Sequence, residues 1–190
     1  MIDRRMMMQA MLAAAAAPLS TRALAEPAMS RITAYAFSFP ALSGDDIRLA
    51  DYTGRPVLVV NTASLCLYTP QYAGLQQLWT EFRDRGLGMV GVPSNDFGGQ
   101  EPGGAKEIAE TAQHQYAVTF PLAAKAVVLG PAAHPFYKWA AQARPTDVPR
   151  WNFHKYLIGR DGYIAAVFAS AVEPTDTRVM TAVARALSDS

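Results

Sequence analysis

Val57-Leu58-Val59-Val60-Asn61-Thr62-Ala63-Ser64-Leu65-Cys66-Leu67-Tyr68-Thr69-Pro70-Gln71-Tyr72 carries the single cysteine of the chain between two different patterns. Residues 57–61 are a short apolar, β-branched run, the mark of a strand buried on both faces. Beyond Tyr72, Leu75, Leu78, Trp79 and Phe82 recur at helical spacing. Cys66 therefore lies in the crossover that leaves the carboxyl end of a central strand for a helix. Ligands and chemistry gather at such edges of open α/β sheets, and the positive end of a helix favours thiolate over thiol. With no second cysteine an internal disulfide is impossible. Cys66 is a nucleophile candidate.

Outward from this stretch the chain alternates strand and helix patterns. Tyr35-Ala36-Phe37-Ser38-Phe39, a turn at Ser43-Gly44-Asp45-Asp46 and Ile47-Arg48-Leu49 read as a hairpin. The helix after Cys66 should stop near Arg85-Gly86, with basic residues in its last turn and a glycine beyond. Gly88–Val92 reads as a second buried strand, ending in a polar, glycine-rich loop from Ser94 to Gly103. Helices are expected near 105–116 and 133–143, then strands near 153–158 and 163–169 across Gly159-Arg160-Asp161-Gly162, a strong hairpin turn. A last helix should open near Pro174 and bury Val179, Val183 and Leu187. The expected fold is α/β: a mixed central sheet with helices on both faces and an N-terminal β-hairpin, compatible with a thioredoxin-like arrangement.

Residues 1–25 read as an export signal. Arg4-Arg5 supplies the positive region, Met6 to Leu19 the apolar one, and Ala23-Leu24-Ala25 a small-residue cleavage site. The adjacent arginines also fit a twin-arginine signal. The apolar run is too short to span a bilayer, so export to a periplasm, without stable membrane insertion once the signal is removed, is the expectation. Removing Arg4, Arg5, Arg22 and Asp3 leaves 14 basic residues against 15 acidic, so the formal charge moves from +1 to −1. A near-neutral domain at 26–190 without a basic stripe argues against nucleic acid as a partner. His114, His134 and His154 show no metal-ligand spacing.

Cys66 and Gln100 close successive strand-to-loop edges, so a parallel βαβ unit would place them on one rim. Trp151-Asn152 completes the group if the strand that follows enters at that rim. Asn61-Thr-Ala-Ser-Leu-Cys66 with Thr69-Pro-Gln-Tyr72, then Gly91-Val-Pro-Ser-Asn95-Asp-Phe-Gly-Gly-Gln100-Glu-Pro-Gly103, then Trp151-Asn152-Phe153, resemble the signatures of the glutathione peroxidase family. The similarity runs from about Ile32 to about Leu187. It implies a thioredoxin-like fold, a peroxidatic role for Cys66, and Gln100, Trp151 and Asn152 as the polar groups around it. Amide and indole N–H groups suit that chemistry, because neutral donors stabilise thiolate and a departing oxyanion without a counter-ion.

The departures bear on the reductant. The second, resolving cysteine that many non-animal members carry after the Gly-Gly-Gln loop is missing from Ile108 to Tyr116, and Ser94 stands where another cysteine is common. A sulfenic acid at Cys66 therefore needs an external thiol, either glutathione or another small thiol, or a thioredoxin-like protein. No prosthetic group or metal is implied. Leu67 replaces the usual glycine and should narrow the mouth of the site; Asp96 replaces the usual glutamine and would oppose thiolate if it pointed inward. The insertion before Trp-Asn-Phe found in tetrameric members is absent, so the chain resembles the compact, monomeric form. The alternatives are a cysteine hydrolase using His154 as base and a periplasmic thiol redox sensor or thioredoxin-like binding protein that oxidises once without turnover.

Overall fold

The computed structural model describes residues 32–188, so the export signal read at residues 1–25 lies outside them. Four strands build the central sheet: β3 (Val57–Thr62), β4 (Gly88–Pro93), β5 (Lys155–Ile158) and β6 (Ile164–Phe168), in the order β4-β3-β5-β6. β3 runs parallel to β4 and antiparallel to β5, and β5 is antiparallel to β6. The N-terminal hairpin pairs β1 (Ser38–Pro40) with β2 (Asp46–Arg48) as a separate two-stranded sheet. Its first strand begins later than the sequence suggests, because residues 34–36 form a 3-10 turn.

The helices are α1 (Gln71–Phe82), α2 (Ala105–Ala109), α3 (Pro135–Ala143) and α4 (Thr177–Ser188). α1 is followed by a 3-10 turn at Arg83–Arg85. The helix expected over 105–116 is α-helical only to Ala109 and continues as a wider π-helical turn, Glu110–Gln115. α4 opens at Thr177 rather than at Pro174.

The all-buried β3 divides its side chains by the two-residue period of a strand. Leu58 and Val60 join Tyr72, Leu75, Leu78 and Phe82 of α1 and Val179 and Val183 of α4. Val57 and Val59 join Phe136, Tyr137 and Trp139 of α3 together with Phe39 of the hairpin. Two apolar layers thus cover the sheet with helices on both faces, which is the thioredoxin-like arrangement.

The topology decides where chemistry can gather. The parallel β3-α1-β4 unit brings the carboxyl ends of β3 and β4 to one rim. Because β5 is antiparallel, its amino end arrives at that same rim, with Lys155 opposite Val60. Leu58 is fully buried at the centre of this construction; Leu58→Ala should cost about 3 kcal/mol of stability, read as a lowered urea midpoint with an unchanged slope.

Candidate active site

Cys66 sits in a tight turn between β3 and α1. The Thr69 hydroxyl closes that turn, accepting from the Cys66 N–H at 2.9 Å and donating to the Ala63 carbonyl at 2.9 Å. The Tyr68 backbone N–H then points at the sulfur, 3.3 Å from Sγ. The amide that meets the sulfur therefore belongs to the turn and not to the helix start, which comes five residues after Cys66 at Gln71. The sulfur is nearly covered, with Cys66 7% exposed, while its neighbours Leu65 and Leu67 are 66% and 87% exposed.

The loop after β4 delivers Gln100. Gly98 and Gly99 both take left-handed backbone, φ 65° and 64°, a conformation free of steric cost only without a Cβ. A side chain on Gly98 would also begin 3.4 Å from the Trp151 ring. The Gln100 carbonyl accepts from the Leu65 N–H at 3.0 Å, which ties this loop to the cysteine turn. Asn95 Oδ1 accepts from the Glu101 N–H at 2.8 Å, and Lys125 Nζ donates to the carbonyls of Glu101 and Gly103 at 3.1 and 2.8 Å. Glu101 itself is sealed from solvent. Burial pushes its carboxyl above the usual range, with Ser64 and Lys125 pulling the other way.

Trp151 and Asn152 arrive just ahead of β5. Asn61 fixes them: its Nδ2 donates to the Trp151 carbonyl at 3.1 Å, and its Oδ1 accepts from the His154 N–H at 3.1 Å. Its carbonyl accepts from the Phe153 N–H at 2.6 Å. Between these anchors Phe153 is forced to φ 64°, a strain of about 1–3 kcal/mol for a residue with a side chain. Asn152 Nδ2 donates to Gln100 Oε1 at 2.9 Å, and the Trp151 ring packs on Phe97 at 5.9 Å between centroids. Gln100, Trp151 and Asn152 are thus brought together beside the cysteine turn. Among the described residues, no hydrogen bond runs from any of the three to Sγ; the Gln100–Asn152 bond leaves the Gln100 amide nitrogen without an intramolecular partner.

A cleft of about 730 Å³ opens beside this group, lined by Leu67, Tyr68, Gln100, Arg150, Trp151, His154, Ala169, Ser170 and Ala171. Leu67 stands at its rim, where a narrowing side chain was expected. Asp96 is turned away: its Oδ2 accepts from the backbone N–H groups of Val128 and Leu129 at 2.6 and 3.0 Å, so its charge is spent holding another loop. Among the described residues there is no group of three or more His, Cys, Asp or Glu placed to hold a metal, and no helix long and apolar enough to cross a membrane.

The family model for glutathione peroxidase matches residues 34–141. The chain belongs to the glutathione peroxidase family. A hydroperoxy fatty acid reductase of Synechocystis sp. is 43% identical over 158 residues, covering 78% of this chain and 94% of the relative. A glutathione peroxidase-like peroxiredoxin of Chlamydomonas reinhardtii is 41% identical over 143 residues, covering 74% and 88%. The crystal structure of Trgpx in its apo form superposes with a TM-score of 0.68 at 32% identity, covering 84% of this chain and 97% of that one. Membership makes this chain a thiol-dependent peroxidase, whose co-substrate is a thiol rather than a prosthetic group.

Sequence reasoning missed the groups that hold the candidate site in shape: the Tyr68 amide, the Thr69 hydroxyl and Asn61. A threonine ahead of a proline at a helix start signals a side-chain-closed turn, whereas nothing local marks an asparagine whose partners lie some 90 residues on. His154 is buried against Tyr156, and its Nε2 has no partner. Burial, with the Lys155 charge beside it, lowers its pKa from 6.5 to about 4, although Asp147 pulls upward. The unfolded chain takes up this proton first, so stability present above pH 6.5 is lost as pH falls toward 4, by up to about 3 kcal/mol. Urea unfolding at pH 7 and pH 4.5 should show this loss in the wild type and not in His154→Gln.

Proposed function

We propose that Cys66 is the peroxidatic nucleophile and that Gln100, Asn152 and Trp151 bind and polarise the peroxide. The observation that carries this reading is the convergence of the one cysteine with the Gln100–Asn152 pair on a single rim, beside an open cleft. The Cys66 thiolate attacks one peroxide oxygen and the O–O bond breaks. The attacked oxygen stays on sulfur as a sulfenic acid, and the other departs as alkoxide or hydroxide and takes up a proton. Neutral amide donors suit that departing oxyanion, since they stabilise the charge where it develops. An external thiol then condenses with the sulfenic acid and releases water. A second thiol attacks the first thiol's sulfur in the mixed disulfide, so that the two reductant thiols leave joined as a disulfide and Cys66 returns to its reduced form.

Hydrogen peroxide and organic hydroperoxides are the substrates of this reading. The cleft and the exposed indole of Trp151, 38% accessible, favour a bulky organic one. A thioredoxin-like protein is favoured as reductant over a small thiol, because Leu65 and Leu67 flank the cysteine with apolar surface that a protein can cover. We further read the mature protein as a monomer beginning at Glu26 and exported to a periplasm. The composition of residues 1–25 supports the export and the cleavage before Glu26, and amino-terminal sequencing of the exported protein tests them.

Rapid mixing with hydrogen peroxide or cumene hydroperoxide, with Cys66 followed by mass spectrometry, tests the chemistry. Oxidation should be orders of magnitude faster than that of a free cysteine and absent in Cys66→Ser. Gln100→Ala should slow it on the order of a hundredfold. Oxidation at the rate of free cysteine would sink the peroxidatic assignment, and one turnover that thiols cannot renew would make the protein a sensor.

A further inference from the structure

Lys155 is a buried charge with no part in the chemistry above. It opens β5 with no exposure to solvent. A lysine ammonium in such surroundings is costly unless its protons are all hydrogen-bonded. Here Nζ donates to Gln71 Oε1 at 2.8 Å, to the Phe153 carbonyl at 2.7 Å and to the Val172 carbonyl at 2.7 Å. Three protons meet three oxygens. The neutral amine has two protons, and its lone pair would face one of those oxygens, so the geometry is that of the charged form.

The three acceptors belong to three different parts of the site. Gln71 is the first residue of α1, directly behind the cysteine turn, and its Nε2 donates onward to the Ser170 carbonyl at 2.8 Å. Phe153 is the left-handed residue that follows Trp151-Asn152. Val172 follows residues 169–171, which line the cleft. We propose that the Lys155 ammonium is a positioning residue for peroxide reduction: it clasps the start of α1, the Trp151-Asn152 turn and the cleft wall together, and so sets where Gln100 and Asn152 stand relative to Cys66. It acts through Phe153 and Gln71. The proposal rests on Cys66 being the peroxidatic residue.

Burial pulls the Lys155 pKa down to about 7, opposed by Glu173. Glu173 follows Val172, and its Oε1 accepts from Gln71 Nε2 at 3.4 Å. The other titratable neighbours are neutral at this pH: His154, lowered to about 4, and Tyr72 of α1, whose phenol burial raises. The strand partners Val60 and Phe168 carry no charge. Lys155 therefore sheds its proton near pH 7, and with it one of the three hydrogen bonds of the clasp. The rate of Cys66 oxidation should therefore carry a descending limb on the alkaline side, where the clasp is lost.

The experiment measures Cys66 oxidation by cumene hydroperoxide against pH in the wild type, K155M and E173Q, with thermal melting of each. Methionine leaves the Gln71, Phe153 and Val172 oxygens without their donor, so K155M should melt lower than the wild type while still folding, and should oxidise at least about tenfold slower. E173Q, altered at an exposed position, should move the alkaline limb down by about half a pH unit, a readout independent of whether K155M folds. A K155M rate within twofold of the wild type, a wild-type profile without an alkaline limb, or a limb unmoved in E173Q overturns the proposal. Peroxide consumption persisting in Cys66→Ser would instead overturn the peroxidatic reading, and is scored apart from these arms.

Discussion

Asn61 is the residue on which the site depends. At the carboxyl end of β3 it makes four hydrogen bonds to one short stretch: the side chain to Trp151 and His154, and the backbone to Phe153 and His154. Sheet pairing alone would bring β5 alongside β3 at Val60 and Lys155. The Asn61 contacts extend that pairing beyond the last regular ladder position and hold Trp151 and Asn152 at a fixed height above the rim. Phe153 absorbs the mismatch in its left-handed backbone. Strain of this size persists only where surrounding contacts over-determine it, and here the four hydrogen bonds to Asn61 do so.

The rest of the site is layered on that anchor. Asn152 reaches the Gln100 side chain, Gln100 reaches the Leu65 backbone, and Leu65 precedes Cys66. The chain of contacts passes through all three segments that the topology delivers to the rim. Each link is a neutral hydrogen bond worth about 1 kcal/mol net, so the geometry comes from their closure into a network rather than from one strong bond. The Thr69 hydroxyl plays the same part within the cysteine turn, satisfying an N–H and a carbonyl with one side chain.

The fold was legible because its signals are local. The β-branched run at 57–61, the helical spacing of Leu75, Leu78 and Phe82 and the Gly159–Gly162 turn each declare their structure within a few residues. The rim placement of Cys66 and Gln100 followed from the parallel crossover, and the Trp151-Asn152 placement from the family resemblance. What escaped depends on distance in sequence. Asp96 faces away from the cysteine because two amides some 30 residues later claim it, and the Lys155 ammonium is satisfied by carbonyls and an amide from three segments. The π-helical turn after α2 escaped because its periodicity differs from that of an α-helix by too little to register over six residues.

The pairing of Gln100 with Asn152 has a bearing on the surroundings in which the chain can operate. Both side chains are uncharged amides, and the contact to the sulfur is a backbone amide. Mobile ions weaken the attraction between exposed charges over about a Debye length, some 8 Å at physiological ionic strength, but they have little purchase on fixed dipoles in a nearly covered turn. Of the charged groups drawn into the scaffold, Lys155 and Glu101 lie where counter-ions do not reach. A rim assembled from dipoles and a sealed ammonium keeps its geometry in dilute and in briny water alike.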